Sequence, residues 1–302
     1  MGTHYNNEYN IIELNKYKYC IFTIVIRKPV SSVSTDKNGG KKMRKCIAYM
    51  SLILILSIFT IGTLAEPKAE HKPMIPVKQV GHNSFTSTNW GGYAVTSSGV
   101  TDVKGSWIVP PATCSGGSQY SSFWVGIDGF NSNTVEQTGT DSDCFNGVAT
   151  YYAWYEFYPK FSVTIKSMTV KPGDYMSGEV TYIGTNKFKV TITDINTSAT
   201  FSTTGKVNSA QRNSAEWIAE APSSISGILP LANFGTVNYG KNFTGISNTN
   251  YATINTVTGN INSFGSNVQE ITMVSSPTVI KAQPSALTSD GTGSFSVRWV
   301  SS

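Results

Sequence analysis

The stretch Asn213-Ser214-Ala215-Glu216-Trp217-Ile218-Ala219-Glu220 has the two-residue alternation of a β-strand. Because successive side chains of a strand point to opposite faces, Glu216, Ile218 and Glu220 share one face, and the small or aromatic residues between them share the other. Carboxylates are rarely buried without a partner. Two of them on one face of an otherwise uncharged strand therefore indicate either a solvent-exposed face or a site that uses both.

Similar runs surround this stretch from Asn89 to the end of the chain. They are short, rich in β-branched and aromatic residues, and separated by turns such as Pro172-Gly173-Asp174. The predicted strands are 106–109, 123–127, 151–158, 161–170, 175–183, 187–193, 215–220 and 294–300. Many short strands without a long amphipathic helix predict an all-β fold, an antiparallel β-sandwich of two sheets. No linker-like gap interrupts residues 89–302, so we treat them as one domain.

The excess of positive charge lies before this domain. Residues 1–65 hold nine of the 23 Lys and Arg residues but only three of the 18 Asp and Glu residues, which leaves 14 against 15 in residues 66–302. The body of the chain, with a net charge of −1, lacks the basic surplus of a nucleic-acid-binding protein. We expect no nucleic-acid partner.

Residues 43–65 have the three parts of a secretory signal peptide. Basic residues follow Met43, an apolar run extends from Cys46 to Leu64, and a small-residue cleavage site ends at Ala65. A membrane anchor is the alternative, because the run approaches the ~20 residues that span a bilayer. The cleavage site favours a secreted, extracellular protein with no stable membrane association after signal cleavage.

Two further expectations concern the regions on either side of the signal peptide. Because residues 1–42 precede what resembles a complete signal peptide, we interpret them as a mis-called N-terminal extension and Met43 as the start. Residues 66–88 are polar and aperiodic, and are predicted to be a short linker or pro-segment within which the mature chain begins.

Cysteine positions predict one disulfide. Cys20 and Cys46 lie in the leader, which leaves Cys114 and Cys144 as an even pair in an exported chain. Their bond would close a loop and stabilise the fold by about 3 kcal/mol.

The histidines exclude several mechanisms from the predicted domain. His4, His71 and His82 all precede residue 89. Residues 89–302 therefore cannot contain a Ser-His-Asp triad, a Cys-His dyad or a His-ligated zinc site. Carboxylates, amides, Tyr or Lys would have to carry any chemistry, and we expect neither a metal nor a cofactor. A carboxylate base suits acid conditions, in which histidine is protonated.

Polar and aromatic side chains recur with period two on four predicted strands. The pairs that share a face are Trp124 with Asp128, Gln137 with Asp141, Trp154 with Glu156, and Glu216 with Glu220. A sheet face lined in this way is typical of a ligand groove. Three functions remain open at this point: peptide hydrolysis, sugar binding by a lectin-like module, and glycoside hydrolysis by two carboxylates.

Five blocks follow one another along the chain: Asn89-Trp90-Gly91-Gly92-Tyr93, Trp124-Val125-Gly126-Ile127-Asp128-Gly129, Gln137-Thr138-Gly139-Thr140-Asp141, Ala153-Trp154-Tyr155-Glu156-Phe157-Tyr158-Pro159 and Ala215-Glu216-Trp217-Ile218-Ala219-Glu220. Together they resemble the motifs of the glutamic peptidases, or eqolisins. The resemblance covers essentially all of residues 89–302. It implies a lectin-like (concanavalin A-like) sandwich and a secreted acid endopeptidase that needs no cofactor and is insensitive to pepstatin.

The resemblance also implies roles for individual residues. The family's catalytic glutamine falls on Gln137 and its catalytic glutamate on Glu220. Further positions of the active-site face, expected to bind substrate, fall on Trp124, Asp128, Asp141, Trp154, Glu156 and Glu216. The expected partners are protein or peptide substrates, and the expected state is a monomer. The amide of Gln137 favours acyl chemistry over glycoside hydrolysis, because only the former needs an oxyanion donor.

Overall fold

In the computed structural model, residues 69–302 are described. The strands are β1 (Pro76–Gly81), β2 (Ser84–Ser87), β3 (Trp90–Thr96), β4 (Val100–Ile108), β5 (Ser122–Ile127), β6 (Val135–Phe145), β7 (Val148–Tyr158), β8 (Val163–Thr164), β9 (Tyr175–Tyr182), β10 (Lys187–Asp194), β11 (Ala199–Lys206), β12 (Ser214–Glu220), β13 (Ser223–Ser224), β14 (Gly227–Ile228), β15 (Thr236–Tyr239), β16 (Tyr251–Ile254), β17 (Val257–Asn260), β18 (Val268–Ser276), β19 (Val279–Pro284) and β20 (Phe295–Trp299). One helical turn, α1 (Lys241–Thr244), and a 3₁₀ segment (Ile261–Asn267) complete the elements. The proposed signal peptide and N-terminal extension lie outside the described residues.

Strand pairing arranges these elements in two layers. The front sheet has the order β1-β2-β18-β3-β12-β5-β6-β7-β8, in which only β2 and β18 run parallel. The back sheet has the order β19-β20-β15-β4-β9-β10-β11, and the β16–β17 hairpin also joins β4. Strand β18 continues from the front sheet into pairing with β19 of the back sheet. The predicted antiparallel sandwich is confirmed.

The hydrophobic core fills the space between the two sheets. Trp217 and Val125 enter it from the front sheet, and Trp107, Tyr239 and Phe295 enter it from the back sheet. The indole N–H of Trp107 donates to Thr140 Oγ1 at 2.8 Å, so this large ring is buried with its polar atom satisfied. Burial of one face of β12 in this core directs its glutamates to the opposite, outer face of the front sheet.

Two regions differ from the sequence prediction. The run at 161–170 forms only the two-residue strand β8, because the chain turns after it, with Met168 N–H bonded to the carbonyl of Ile165. Its apolar side chains Ile165, Met168 and Val170 reach the core from this turn. Part of the segment 66–88, which the sequence predicts to be a linker or pro-segment, is also regular structure. Its residues 76–87 form the β1–β2 hairpin at the edge of the front sheet.

The predicted disulfide is present between Cys114 and Cys144, whose Cα atoms lie 5.5 Å apart. It fixes the segment before β5 to the end of β6, next to the bridge between Gln119 and Cys144. Within residues 69–302, no helix is long and apolar enough to cross a membrane.

Candidate active site

The outer face of the front sheet, here called the cleft face, is organised by strand register. Three cross-strand rows run over β12, β5, β6 and β7: Glu216–Gly126–Gln137–Glu156, Ile218–Trp124–Gly139–Trp154 and Glu220–Ser122–Asp141–Tyr152. Side chains in one row are direct neighbours, and those two residues apart along a strand share the face. The amide and the carboxylates predicted from the sequence therefore meet on one surface.

The middle row forms an aromatic floor with a gap at its centre. Trp124 and Trp154 are both buried, and Gly139 lies between them. A Cβ atom at Gly139 would come within 2.5 Å of Trp124 Cβ and 2.4 Å of the Phe123 carbonyl oxygen, closer than real atoms approach. A side chain at position 139 would therefore displace Trp124, whose indole N–H donates to Glu220 Oε2 at 2.8 Å.

A segment of the chain itself lies on this floor. Residues 69–75, here called the strap, precede β1 and cross the cleft face, where Met74 joins the cluster of Trp90, Trp124 and Ile218. The backbone of Glu70 pairs with Ser223 through two hydrogen bonds of 2.8 Å. The strap thus lies in the groove as an added extended peptide would.

One peptide bond of the strap lies between the two residues of the predicted dyad. Gln137 Nε2 donates to the carbonyl oxygen of His71 at 2.6 Å. The N–H of Lys72, the next residue, donates to Glu220 Oε1 at 3.1 Å. The amide therefore contacts the oxygen of the His71–Lys72 bond, and the carboxylate contacts its nitrogen.

The ring of His71 occupies a polar, aromatic pocket beside this bond. It stacks on Trp154 with ring centres 3.5 Å apart and an interplanar angle of 1°. Its Nε2 lies 3.4 Å from Asp141 Oδ1, and its Nδ1 lies 3.5 Å from Glu156 Oε2. An aromatic face together with two carboxylates favours a protonated imidazole.

The acidic groups of this pocket are held by donors from neighbouring strands. Asp141 accepts hydrogen bonds from Trp154 Nε1 at 2.6 Å and from the hydroxyl of Tyr152 at 2.8 Å. Glu156 Oε2 accepts from Gln137 Nε2 at 3.0 Å. An ionised Glu156 can only accept hydrogen bonds, so it orients the amide nitrogen of Gln137, rather than the amide oxygen, toward itself and the strap.

Comparison with known proteins assigns this arrangement to a family. The model of the peptidase A4 family matches residues 88–282, more than half of the chain and including every strand that forms the three rows. The chain belongs to the peptidase A4 family.

Two relatives are aspergillopepsin-2 from Aspergillus niger and scytalidopepsin B from Scytalidium lignicola. The first is 29% identical over 235 residues, which cover 63% of this chain and 83% of the relative. The second is 34% identical over 151 residues, which cover 48% of this chain and 56% of the relative. The resemblance to glutamic peptidases is confirmed, and this A4 peptidase is a glutamic endopeptidase.

Solved structures agree on the fold. A structure of scytalido-glutamic peptidase with a transition state analog inhibitor matches with a TM-score of 0.59 and 24% identity, over 70% of this chain and 98% of that one. Aspergilloglutamic peptidase from Aspergillus niger matches with a TM-score of 0.50 and 25% identity, over 60% and 99%. The two-layer sandwich of the A4 peptidase is thus that of its structural neighbours.

Burial dominates the electrostatics of the A4 peptidase's cleft. It raises the pKa of Glu220 well above the ordinary value, and the nearby His71 only partly opposes this. It also raises the pKa of Glu156, against hydrogen bonds from His71. Burial alone would lower the pKa of His71, but Asp141 and Glu156 together raise it well above its ordinary value. With the strap in place, Glu220, Glu156 and His71 therefore keep their protons to higher pH than the same side chains would in water.

Two of the residues expected to bind substrate have side chains that make no hydrogen bond to the described part of the strap. Asp128 is buried and accepts hydrogen bonds from the backbone N–H groups of residues 211–213, at 2.7 to 2.9 Å, so it fixes the loop before β12. Glu216 is also buried, on the cleft face beside Ser214, and makes no hydrogen bond to the described part of the strap. By contrast, Trp124, Asp141, Trp154 and Glu156 all border the strap or the dyad.

Sequence reasoning missed the strap residues His71 and Lys72 as part of the site. They fall in a stretch without periodicity, so alternation gave no signal. The only available clue was the isolated His-Lys-Pro sequence in a segment already expected to be a pro-segment.

Proposed function

We propose that this A4 peptidase is a secreted acid endopeptidase in which Glu220 is the general base and Gln137 stabilises the oxyanion. The observation that carries the proposal is the position of the His71–Lys72 peptide bond, whose oxygen contacts Gln137 Nε2 at 2.6 Å and whose nitrogen contacts Glu220 Oε1 at 3.1 Å. These are the two atoms that gain charge or a proton during peptide hydrolysis. The strap therefore indicates how a peptide substrate would bind in the cleft.

The mechanism follows from the chemistry of the two side chains. Ionised Glu220 takes a proton from a water molecule as its oxygen attacks the carbonyl carbon, and then gives a proton to the departing amine. The carbonyl oxygen becomes negative, and the neutral amide of Gln137 stabilises it through a donor already in place. An amide does not titrate, so this donor keeps working at low pH.

Neighbouring residues position the dyad. The indole of Trp124 holds one oxygen of Glu220 at 2.8 Å, which leaves the other free to face the peptide nitrogen. Glu156 holds Gln137 from the other side at 3.0 Å. Trp154 and Asp141 form the pocket that receives the side chain preceding the cleaved bond, as His71 does in the strap.

Acid dependence would arise from Glu156. When Glu156 is ionised it places a negative charge beside the developing oxyanion, which raises the energy of the transition state. Because burial raises the pKa of Glu156, its neutral form persists above the ordinary carboxylate range. We therefore propose that activity is lost at higher pH as Glu156 ionises, and at lower pH as Glu220 is protonated. Burial under the strap raises the pKa of Glu220 well above its ordinary value, and entry of water when the strap leaves the cleft should lower it again. Export through residues 43–65 would deliver the enzyme outside the cell.

The test is hydrolysis of an acid-denatured protein and of a peptide library by the purified chain, with pepstatin added as a control. We expect cleavage at acid pH that pepstatin does not inhibit and that Glu220→Gln abolishes. Absence of hydrolysis across the acid range, together with binding of an oligosaccharide to the cleft face, would instead support the lectin-like function.

A further inference from the structure

We propose that the chain cleaves itself between His71 and Lys72, so that Lys72 becomes the N-terminus of the processed peptidase. This inference rests on the proposed dyad, because it applies the dyad's chemistry to the chain's own strap. It assigns residues 69–75 two roles: they fill the cleft before processing, and they supply its first substrate bond.

The residues before the bond are held as a substrate would be. Glu70 pairs through its backbone N–H and C=O with Ser223, at 2.8 Å in both directions. The carbonyl of Ala69 accepts from Ser162 Oγ at 2.8 Å. These contacts use main-chain atoms and fix the strap in an extended conformation, while the ring of His71 anchors it on Trp154.

The residues after the bond are held by a second set of contacts. Trp90 Nε1 donates to the carbonyl of Lys72 at 3.0 Å, and the side chain of Asn89 bonds the strap at Pro73 and Ile75. The chain then enters β1 without a break. The strap is therefore bound on both sides of a single peptide bond, and that bond is the one that the dyad contacts.

Attachment to β1 makes the reaction intramolecular. A reactant held in place by the same chain acts at a high effective concentration, so processing should not require an encounter between two molecules. The groove is occupied by the strap meanwhile, so other chains cannot enter it. The unprocessed chain is therefore latent.

The step balances without a co-reactant other than water. A bond forms between the water oxygen and the carbonyl carbon of His71, and the bond from that carbon to the nitrogen of Lys72 breaks. One proton passes from water through Glu220 to the Lys72 nitrogen. The products are the carboxyl group of His71 on the released segment and the amino group of Lys72 on the enzyme.

The experiment follows the N-terminus of the full chain. The chain is refolded at neutral pH and shifted to acid pH, and its products are measured over time by intact mass and N-terminal sequencing. We expect a product that begins at Lys72. Its first-order rate constant should stay the same when the protein is diluted about tenfold, because the reaction is intramolecular.

Two variants test the assignment, and a third is the matched control. Glu220→Gln should give no product beginning at Lys72. His71→Ala should slow its formation about tenfold or more, because it removes the stacked, charge-paired ring from the pocket. His82→Ala is the matched control, since His82 is exposed beyond β1 and its ring bonds the side chain of Asn83. It should be processed at the unchanged rate.

Hydrolysis of added denatured protein, measured in the same samples, separates the two proposals. A chain that digests added protein but whose N-terminus lies elsewhere would overturn self-cleavage at His71–Lys72 and leave the dyad intact. A Lys72 terminus formed equally by Glu220→Gln would also overturn it, because another protease would then be responsible. Absence of both activities would overturn the proposed function as well.

Discussion

Two ends of the cleft face carry a buried glutamate on the same strand, and they differ in what surrounds it. At one end, Glu220 contacts Trp124 and the N–H of Lys72. At the other, Glu216 lies among Ser214, Asp128 and Glu136, and makes no hydrogen bond to the described part of the strap. Both are fully buried. Both glutamates lie on the same face of β12, so that position alone does not make a carboxylate reactive. The residues that contact it from neighbouring strands distinguish the reactive carboxylate from the structural one.

The largest expected effect tests this comparison directly. Glu220→Gln keeps the shape and the Trp124 contact but removes the base, so hydrolysis of denatured protein at acid pH should fall by about 10²–10⁴-fold or more. Glu216→Gln is the matched variant on the same strand and should retain most of the activity. An inactive Glu216→Gln enzyme beside an active Glu220→Gln enzyme would show that the base was assigned to the wrong end.

A second variant alters the donor instead of the base. Gln137→Glu replaces a neutral N–H donor by a group that, when ionised, only accepts, next to the developing oxyanion. We expect kcat to fall by about 10²–10³-fold. The measurement is kcat on a defined peptide, with circular dichroism as a check that the variant is folded. Wild-type kcat in the folded variant would remove Gln137 from the mechanism.

A smaller effect is expected in the pH profile. Glu156→Gln cannot ionise, so the loss of activity at higher pH that we attribute to Glu156 should disappear and the active range should extend upward. The low-pH limb, set by Glu220, should remain where it is. The measurement is kcat/KM against pH for both enzymes. Identical upper limbs would assign that limb to another group.

The smallest effect concerns stability at the Glu216 end. Burial raises the pKa of Glu216 and of Glu136 well above the ordinary value. Between the unfolded and folded pKa values the native chain binds more protons than the unfolded chain, so the free energy of unfolding falls as pH rises through that range. The protein should therefore be more stable at acid than at neutral pH with respect to these groups.

Glu216→Gln tests this expectation. It removes one proton-linked group, so the decrease in stability between acid and neutral pH should become smaller, and the variant should be more stable than the parent at neutral pH. Urea midpoints measured across the pH range would detect the change. A steeper decrease in the variant would contradict a raised pKa for Glu216.

Much of the fold follows from sequence periodicity, and the site follows only in part. Alternation at 213–220 correctly put Glu216 and Glu220 on one face and Trp217 on the other, which the structure shows to be the core face. It could not separate the two glutamates, because their environments depend on the register of β5 and β6 beside β12. Nor could it place Asp128, which lies just past its strand with a positive φ of 73° and turns away to bind residues 211–213.

The strap shows a second limit of sequence reasoning. Its position depends on side chains from β3, from β6 and from the turn before β3, among them Trp90, Gln137 and Asn89, that meet only after the sheet has formed. A polar, aperiodic segment carries no record of such contacts. The apolar residues at 161–170 predicted a strand for a different reason: an apolar run indicates burial, but most of these residues reach the core from a turn.

Strand β18 has a consequence for how the protein unfolds. Its first half pairs with β3 beside the cleft, and its second half pairs with β19 in the opposite layer. Neither layer can therefore separate from the other while this strand keeps both sets of partners. We expect melting as a single cooperative event, with backbone amides of the two layers losing protection from hydrogen exchange together.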